Sequence, residues 1–121
     1  MPGQNELEPP EEDPDLKPQE YSFNPLEAGR NITAGNFYYK KGNYRAASRR
    51  YLEATKWDPT SGDAWLKLAA AYEKLRNFDE ARLSYAKYLE VAPEAKNVPE
   101  VRKKLAQFPK TSSTAKPKPG K

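Results

Sequence analysis

Acid–base or nucleophilic chemistry in this 121-residue chain would fall to carboxylates, lysines or serines, because it contains no histidine and no cysteine. No Gly-rich phosphate loop and no carboxylate pair at metal-ligand spacing interrupts its central, apolar-periodic part. Neither an enzyme nor a cofactor nor a metal site is therefore expected. The absence of cysteine also excludes disulfides, thiolate metal sites and a lipid-anchoring cysteine, and fits a reducing compartment or a cysteine-poor bacterial envelope. The chemistry left is non-covalent recognition, and eight tyrosines, four phenylalanines and two tryptophans among 21 basic residues supply its groups. At helical spacing, most of those aromatics read as core rather than as a cofactor box.

Charge is distributed along the chain in three blocks. Residues 1–27 hold eight acids against Lys17, residues 28–101 are moderately basic, and residues 102–121 hold seven bases and no acid, within a net charge of +4. The first 23 residues, acidic and proline-punctuated, have too little apolar area to offset the entropy of ordering and read as a disordered arm. Residues 110–121 read as a disordered basic tail. Lysines spaced by proline with no aromatic after Phe108 to stack on a base read as solubilising, so nucleic acid is not an expected partner. No run of 18 apolar residues could span a bilayer, and the start lacks the apolar core of a signal peptide. The expectation is a soluble chain, cytoplasmic by default. The tripeptide Asn31-Ile32-Thr33 matches a glycosylation acceptor but falls inside an expected helix, so it reads as a chance match.

The elements that position these groups announce themselves by caps. Asn24-Pro25-Leu26-Glu27 combines a capping residue, proline at the first helical position and a capping-box glutamate, predicting a helix over 25–41 that Gly42 ends. Asn43 starts a second helix over 44–57, before Asp58-Pro59. Ser61 starts a third, through Leu75, and Asn77 with Glu80 a fourth over 78–91, ending before Pro93. Asn97 with Glu100 forms another capping box. Val98, Val101, Leu105 and Phe108 then make an apolar stripe on a last helix to 108.

A shift of 34 residues superposes Tyr38 on Tyr72, Lys40 on Lys74, Asn43 on Asn77, Ala47 on Ala81, Tyr51 on Tyr85 and Pro59 on Pro93. Gly35 on Ala69, Tyr44 on Phe78 and Ile32 on Leu66 are near matches. Trp65, Leu68, Ala69 and Tyr72 lie at i, i+3, i+4 and i+7, one continuous helix face, while Ala47 and Ala81 are small where paired helices approach closely. With this 34-residue period, residues 25–108 resemble a tetratricopeptide repeat protein. The resemblance implies an all-α fold of helical-hairpin repeats, a right-handed solenoid fragment with repeats at about 28–61 and 62–95 and a capping helix at 98–108, the whole domain spanning 24–109.

In such stacks the first helix of each repeat lines a concave groove, and the positions carried over are Ile32, Asn36, Tyr39, Lys40, Asp63, Leu66, Ala70, Glu73 and Lys74. The expected function is a non-enzymatic scaffold holding a peptide or protein segment there; Ile32, Tyr39 and Leu66 stand out as apolar groups the core faces do not need. The alternative is a self-assembling or complex-building subunit, a homodimer or part of a larger bacterial envelope assembly. In a third arrangement the acidic arm, through Tyr21 and Phe23, folds back and guards the groove. Family members that grip a terminal carboxylate use lysine, asparagine and arginine at set positions; here only Asn36 matches, with Ile32, Lys67, Glu100 and Lys104 departing from that pattern. The run from Asn36 to Tyr51 is also similar to repeats of BamD-type outer-membrane assembly lipoproteins, which implies a periplasmic setting. The missing lipidation cysteine and the small number of repeats keep that family's role from carrying over.

Overall fold

A computed structural model describes residues 20–109, which form five helices. They are α1 (Pro25–Lys40), α2 (Tyr44–Trp57), α3 (Gly62–Lys74), α4 (Phe78–Val91) and α5 (Val98–Gln107). Each pairs with its neighbour in sequence, and α1 also touches α3, so two antiparallel hairpins stack side by side with α5 laid against the second. The architecture is an all-α helical repeat. The expected acidic arm over 1–19 and the basic tail over 110–121 lie outside the described residues.

The caps form largely as their residue types dictate. The side chains of Asn24, Asn43, Ser61 and Asn77 accept from the backbone N–H groups of Glu27, Ala46, Ala64 and Glu80, satisfying donors that a helix start leaves without a partner. Asn97 is the exception. Its side chain caps nothing and instead accepts from the Tyr88 hydroxyl at 2.5 Å, because a buried phenol needs a partner more than an exposed helix end that water can solvate. Helices α1, α3 and α5 each stop one residue short of expectation. Both hairpin turns use a left-handed residue at the same repeat position, Gly42 with φ +83° and Arg76 with φ +62°. Glycine adopts this conformation freely, whereas Arg76 does so with its guanidinium 5.0 Å from the Phe78 ring.

Small residues bring the helices together. Ala47, Ala54, Ala64, Ala69, Ala71 and Ala81 have no measurable exposure. Between hairpins, Tyr38, Ala46, Ala47, Tyr51, Leu68 and Ala71 form one cluster against which Ile32, Tyr39, Leu52, Trp65 and Tyr72 pack. Toward the C-terminus, Ala69, Tyr85, Tyr88 and Val101 form a second, with Leu105 and Phe108 against it. Gly35 is required by the first of these. A Cβ there would come within 2.4 Å of Tyr51 Cε1, so only a bare Cα lets α1 cross α2 at this point.

Asn31 occupies the position that Trp65 fills in the second hairpin, and it is buried. Its amide donates to the Glu27 carbonyl at 3.0 Å and accepts from the Arg50 guanidinium at 3.1 Å, a polar solution where the second repeat uses an indole. Burial within α1 also removes the Asn31-Ile32-Thr33 sequence from any glycosylating enzyme in the folded state. The chain is anchored before α1 begins. Tyr21 stacks edge-on against Trp57 at 4.8 Å and donates its hydroxyl to Glu53 at 2.9 Å, and the Asn24 N–H donates to the Trp57 carbonyl.

Candidate functional site

The nine groove positions divide between α1 (Ile32, Asn36, Tyr39, Lys40) and α3 (Asp63, Leu66, Ala70, Glu73, Lys74), two helices in direct contact. Their side chains are not all free to meet a ligand. Ile32, Tyr39 and Leu66, expected to be spare apolar surface, are half-buried and pack against the core clusters. A repeat stack this thin has no interior layer independent of its faces, so the same residues serve both.

The polar positions are also largely occupied. Tyr51, reaching across from α2, donates its hydroxyl to Asn36 at 2.6 Å. Tyr85, its counterpart one repeat on, donates to Glu73 at 2.8 Å, and Lys104 of α5 approaches the other carboxylate oxygen of Glu73 at 3.2 Å. Asp63 pairs with Lys67 on its own helix at 3.7 Å. Lys74 lies with its ammonium 5.8 Å from the ring of Tyr44, which in turn stacks edge-on with Tyr39. Lys40 is exposed in the last turn of α1, near carbonyls that favour a cation.

Tyr51 and Tyr85, which reach this face, are held neutral, and so is Tyr72 on α3. Burial pushes the Tyr51 phenol up to about 12, with Tyr39 and Asp63 adding to the effect. Burial also raises Tyr85, reinforced by its hydrogen bond to Glu73 and that group's charge, and burial with Glu80 raises Tyr72. The Tyr51 and Tyr85 hydroxyls are therefore donors over the whole physiological range. Sequence reasoning placed Tyr51 and Tyr85 in the core and gave them no role at this face. The signal was available: a phenol recurs at this position in both repeats, and a phenol at a buried position needs an acceptor.

Of the charged groups among the nine positions, Asp63 and Glu73 are paired while Lys40 and Lys74 are exposed, and Tyr39, Leu66 and Ala70 are partly exposed. Among the described residues no group of acidic side chains could hold a metal ion. A separate apolar groove of about 690 Å³ lies among α2, α3 and α4, lined by Leu52, Trp65, Leu68, Tyr72 and Leu83, and contains none of the nine positions. Among the described residues no helix is long and apolar enough to cross a membrane.

Two family models match the chain, one described as TPR repeat over residues 35–75 and one as tetratricopeptide repeat over residues 62–108. Curated relatives include stress-induced-phosphoprotein 1 of Caenorhabditis elegans, 41% identical over 59 residues that make up 49% of this chain and 18% of the relative. Hsp70-Hsp90 organizing protein 1 of Glycine max and organizing protein 3 of Arabidopsis thaliana are each 34% identical over 79 residues, 65% of this chain and 14% of each relative. The chain thus spans less than a fifth of the length of these relatives. None of these matches supports the local likeness of residues 36–51 to BamD-type lipoproteins. Helical hairpins with a 34-residue period, matched by family models from residue 35 to residue 108, make this a chain that carries tetratricopeptide repeats in an all-helical repeat fold.

Proposed function

We propose that the chain is a non-enzymatic interaction module that holds an extended or helical protein segment across the face shared by α1 and α3. The observation that carries this reading is that two contacting helices, α1 and α3, bear the half-exposed Tyr39, Leu66 and Ala70 and the exposed Lys40 and Lys74, beside side chains fixed by the hydrogen bonds from Tyr51 to Asn36 and from Tyr85 to Glu73. A rigid, mixed apolar and cationic face suits a peptide carrying apolar anchors and acidic groups. A cytoplasmic setting goes with this reading, since a reducing compartment asks nothing of a chain without cysteine.

Two of the relatives are named for organising Hsp70 and Hsp90, and a chaperone partner would follow if this chain shared their recognition. The residues speak against gripping a terminal carboxylate in the manner of chaperone-tail readers. Ile32 and Glu100 put no cation where one is needed, Lys67 is paired with Asp63, and Lys104 is paired with Glu73. An internal segment of the partner is the better ligand.

Selection of peptides from a displayed library on the immobilised chain, followed by amide shift mapping of the strongest binder, tests the site. Shifts should centre on Ile32–Lys40 and Asp63–Lys74, and Tyr39→Ala with Lys74→Ala should weaken binding at least tenfold. Shifts centred instead on the groove near Leu83, or unchanged affinity in the double variant, would overturn the assignment.

A further inference from the structure

One helix face is left open by the stack, and the repeat itself shows what kind of surface belongs there. In the second hairpin, Ala64, Leu68 and Ala71 of α3 are at most 1% exposed, buried in clusters with Ala47, Tyr51 and Ala54 of α2. The residues 34 positions earlier on α1 are Arg30, Ala34 and Phe37. The Arg30 side chain is 68% exposed and Phe37 is 39% exposed. Just before them, Phe23 and Leu26 are 66% and 67% exposed, so three of the five exposed large apolar residues among those described lie on α1 or just before it. A surface of this kind calls for another helix across it.

Within the chain, the stretches outside residues 20–109 offer little to cover it. Their only large apolar residues are Met1, Leu7 and Leu16, set among acids and prolines. The open stripe, however, is complementary to itself. Leu26, Arg30, Thr33 and Phe37 are spaced four, three and four residues apart, a pattern that reads the same in both directions. Two such helices packed antiparallel about a twofold axis between residues 31 and 32 would set Leu26 of each copy against Phe37 of the other, and Arg30 against Thr33. Arg30 is already neutralised by Glu27 at 3.1 Å on its own helix. The apolar ends lie 11 residues apart, about 16 Å or three turns along the helix, enough for a contact of isologous type.

We propose that the outer face of α1 is a homodimer interface, in which a second copy of this chain supplies the covering helix. The twofold-related copy then covers the outer face of α1, and the α1–α3 face of each copy stays open. This proposal is independent of what that face binds.

Sedimentation equilibrium of the full chain between about 10 μM and 1 mM should show a monomer–dimer equilibrium, the range expected for a contact smaller than a standard protein interface. Leu26→Glu or Phe37→Glu should weaken it at least tenfold, while Leu83→Glu, at an equally exposed leucine on α4, should leave it unchanged. Circular dichroism of the variants confirms that each remains folded. Because the chain has no cysteine, register can be read directly: a mixture of Leu26→Cys and Phe37→Cys chains should form the mixed disulfide faster than either alone forms its own. A monomer across the whole range, a dimer indifferent to both glutamates, or no preference for the mixed disulfide would each overturn the proposal.

Discussion

At the scale of single residues, the contacts that decide this structure are those between a tyrosine and something small or polar. Gly35 lies under the Tyr51 ring, and Gly35→Ala pits the helix-propensity gain of alanine, about 1 kcal/mol, against a buried overlap that costs about 1–3 kcal/mol or more. With the added Cβ only 2.4 Å from a ring that cannot retreat, the overlap wins, and chemical denaturation should find the variant less stable. Tyr51 also sets an alkaline limit. Folding raises its pKa from 10.0 to about 12, so its contribution is complete below pH 10 and is lost as the pH rises from 10 to 12. Stability measured over that interval should fall, and Tyr51→Phe should flatten the fall, losing about 1 kcal/mol at neutral pH for the hydrogen bond to Asn36.

At the scale of elements, α5 is the instructive case, since it is a short helix held more by its apolar side than by its cap. Val101 is 4% exposed within the cluster of Ala69, Tyr85 and Tyr88, while Asn97 has given its side chain to Tyr88. Val101→Ala should therefore cost about 1–3 kcal/mol in global stability. Asn97→Ala should also destabilise, through the phenol left without its acceptor rather than through a lost cap. A Tyr88→Phe, Asn97→Ala cycle separates these, because the asparagine change should cost much less once the phenol is absent. The starts of the first four helices were legible in Asn24, Asn43, Ser61 and Asn77, since capping is a local matter of backbone groups and adjacent side chains. The fate of Asn97 was not, because the competing Tyr88 hydroxyl comes from a different helix.

For the whole molecule, the two hairpins share one core and should unfold together. Leu68, 1% exposed, sits where α3 meets α2, so Leu68→Ala should cost about 2–5 kcal/mol. Tryptophan fluorescence and helical circular dichroism should still report one coincident transition in the parent chain, and a split transition would show the hairpins to be independent units. The amino-acid sequence alone determined the helical period, the repeat and the caps, because these follow from residue types within a turn or two of each other. Tertiary structure alone decided which of the proposed groove residues are free. Asn36 and Glu73 are engaged by Tyr51 and Tyr85 from the facing helices, Lys104 is drawn to Glu73 from α5, and the outer face of α1 is left open. Those outcomes depend on which side chains meet across helices 12 to 31 residues apart in sequence, and a burial pattern along one helix carries no record of its partner's polar groups.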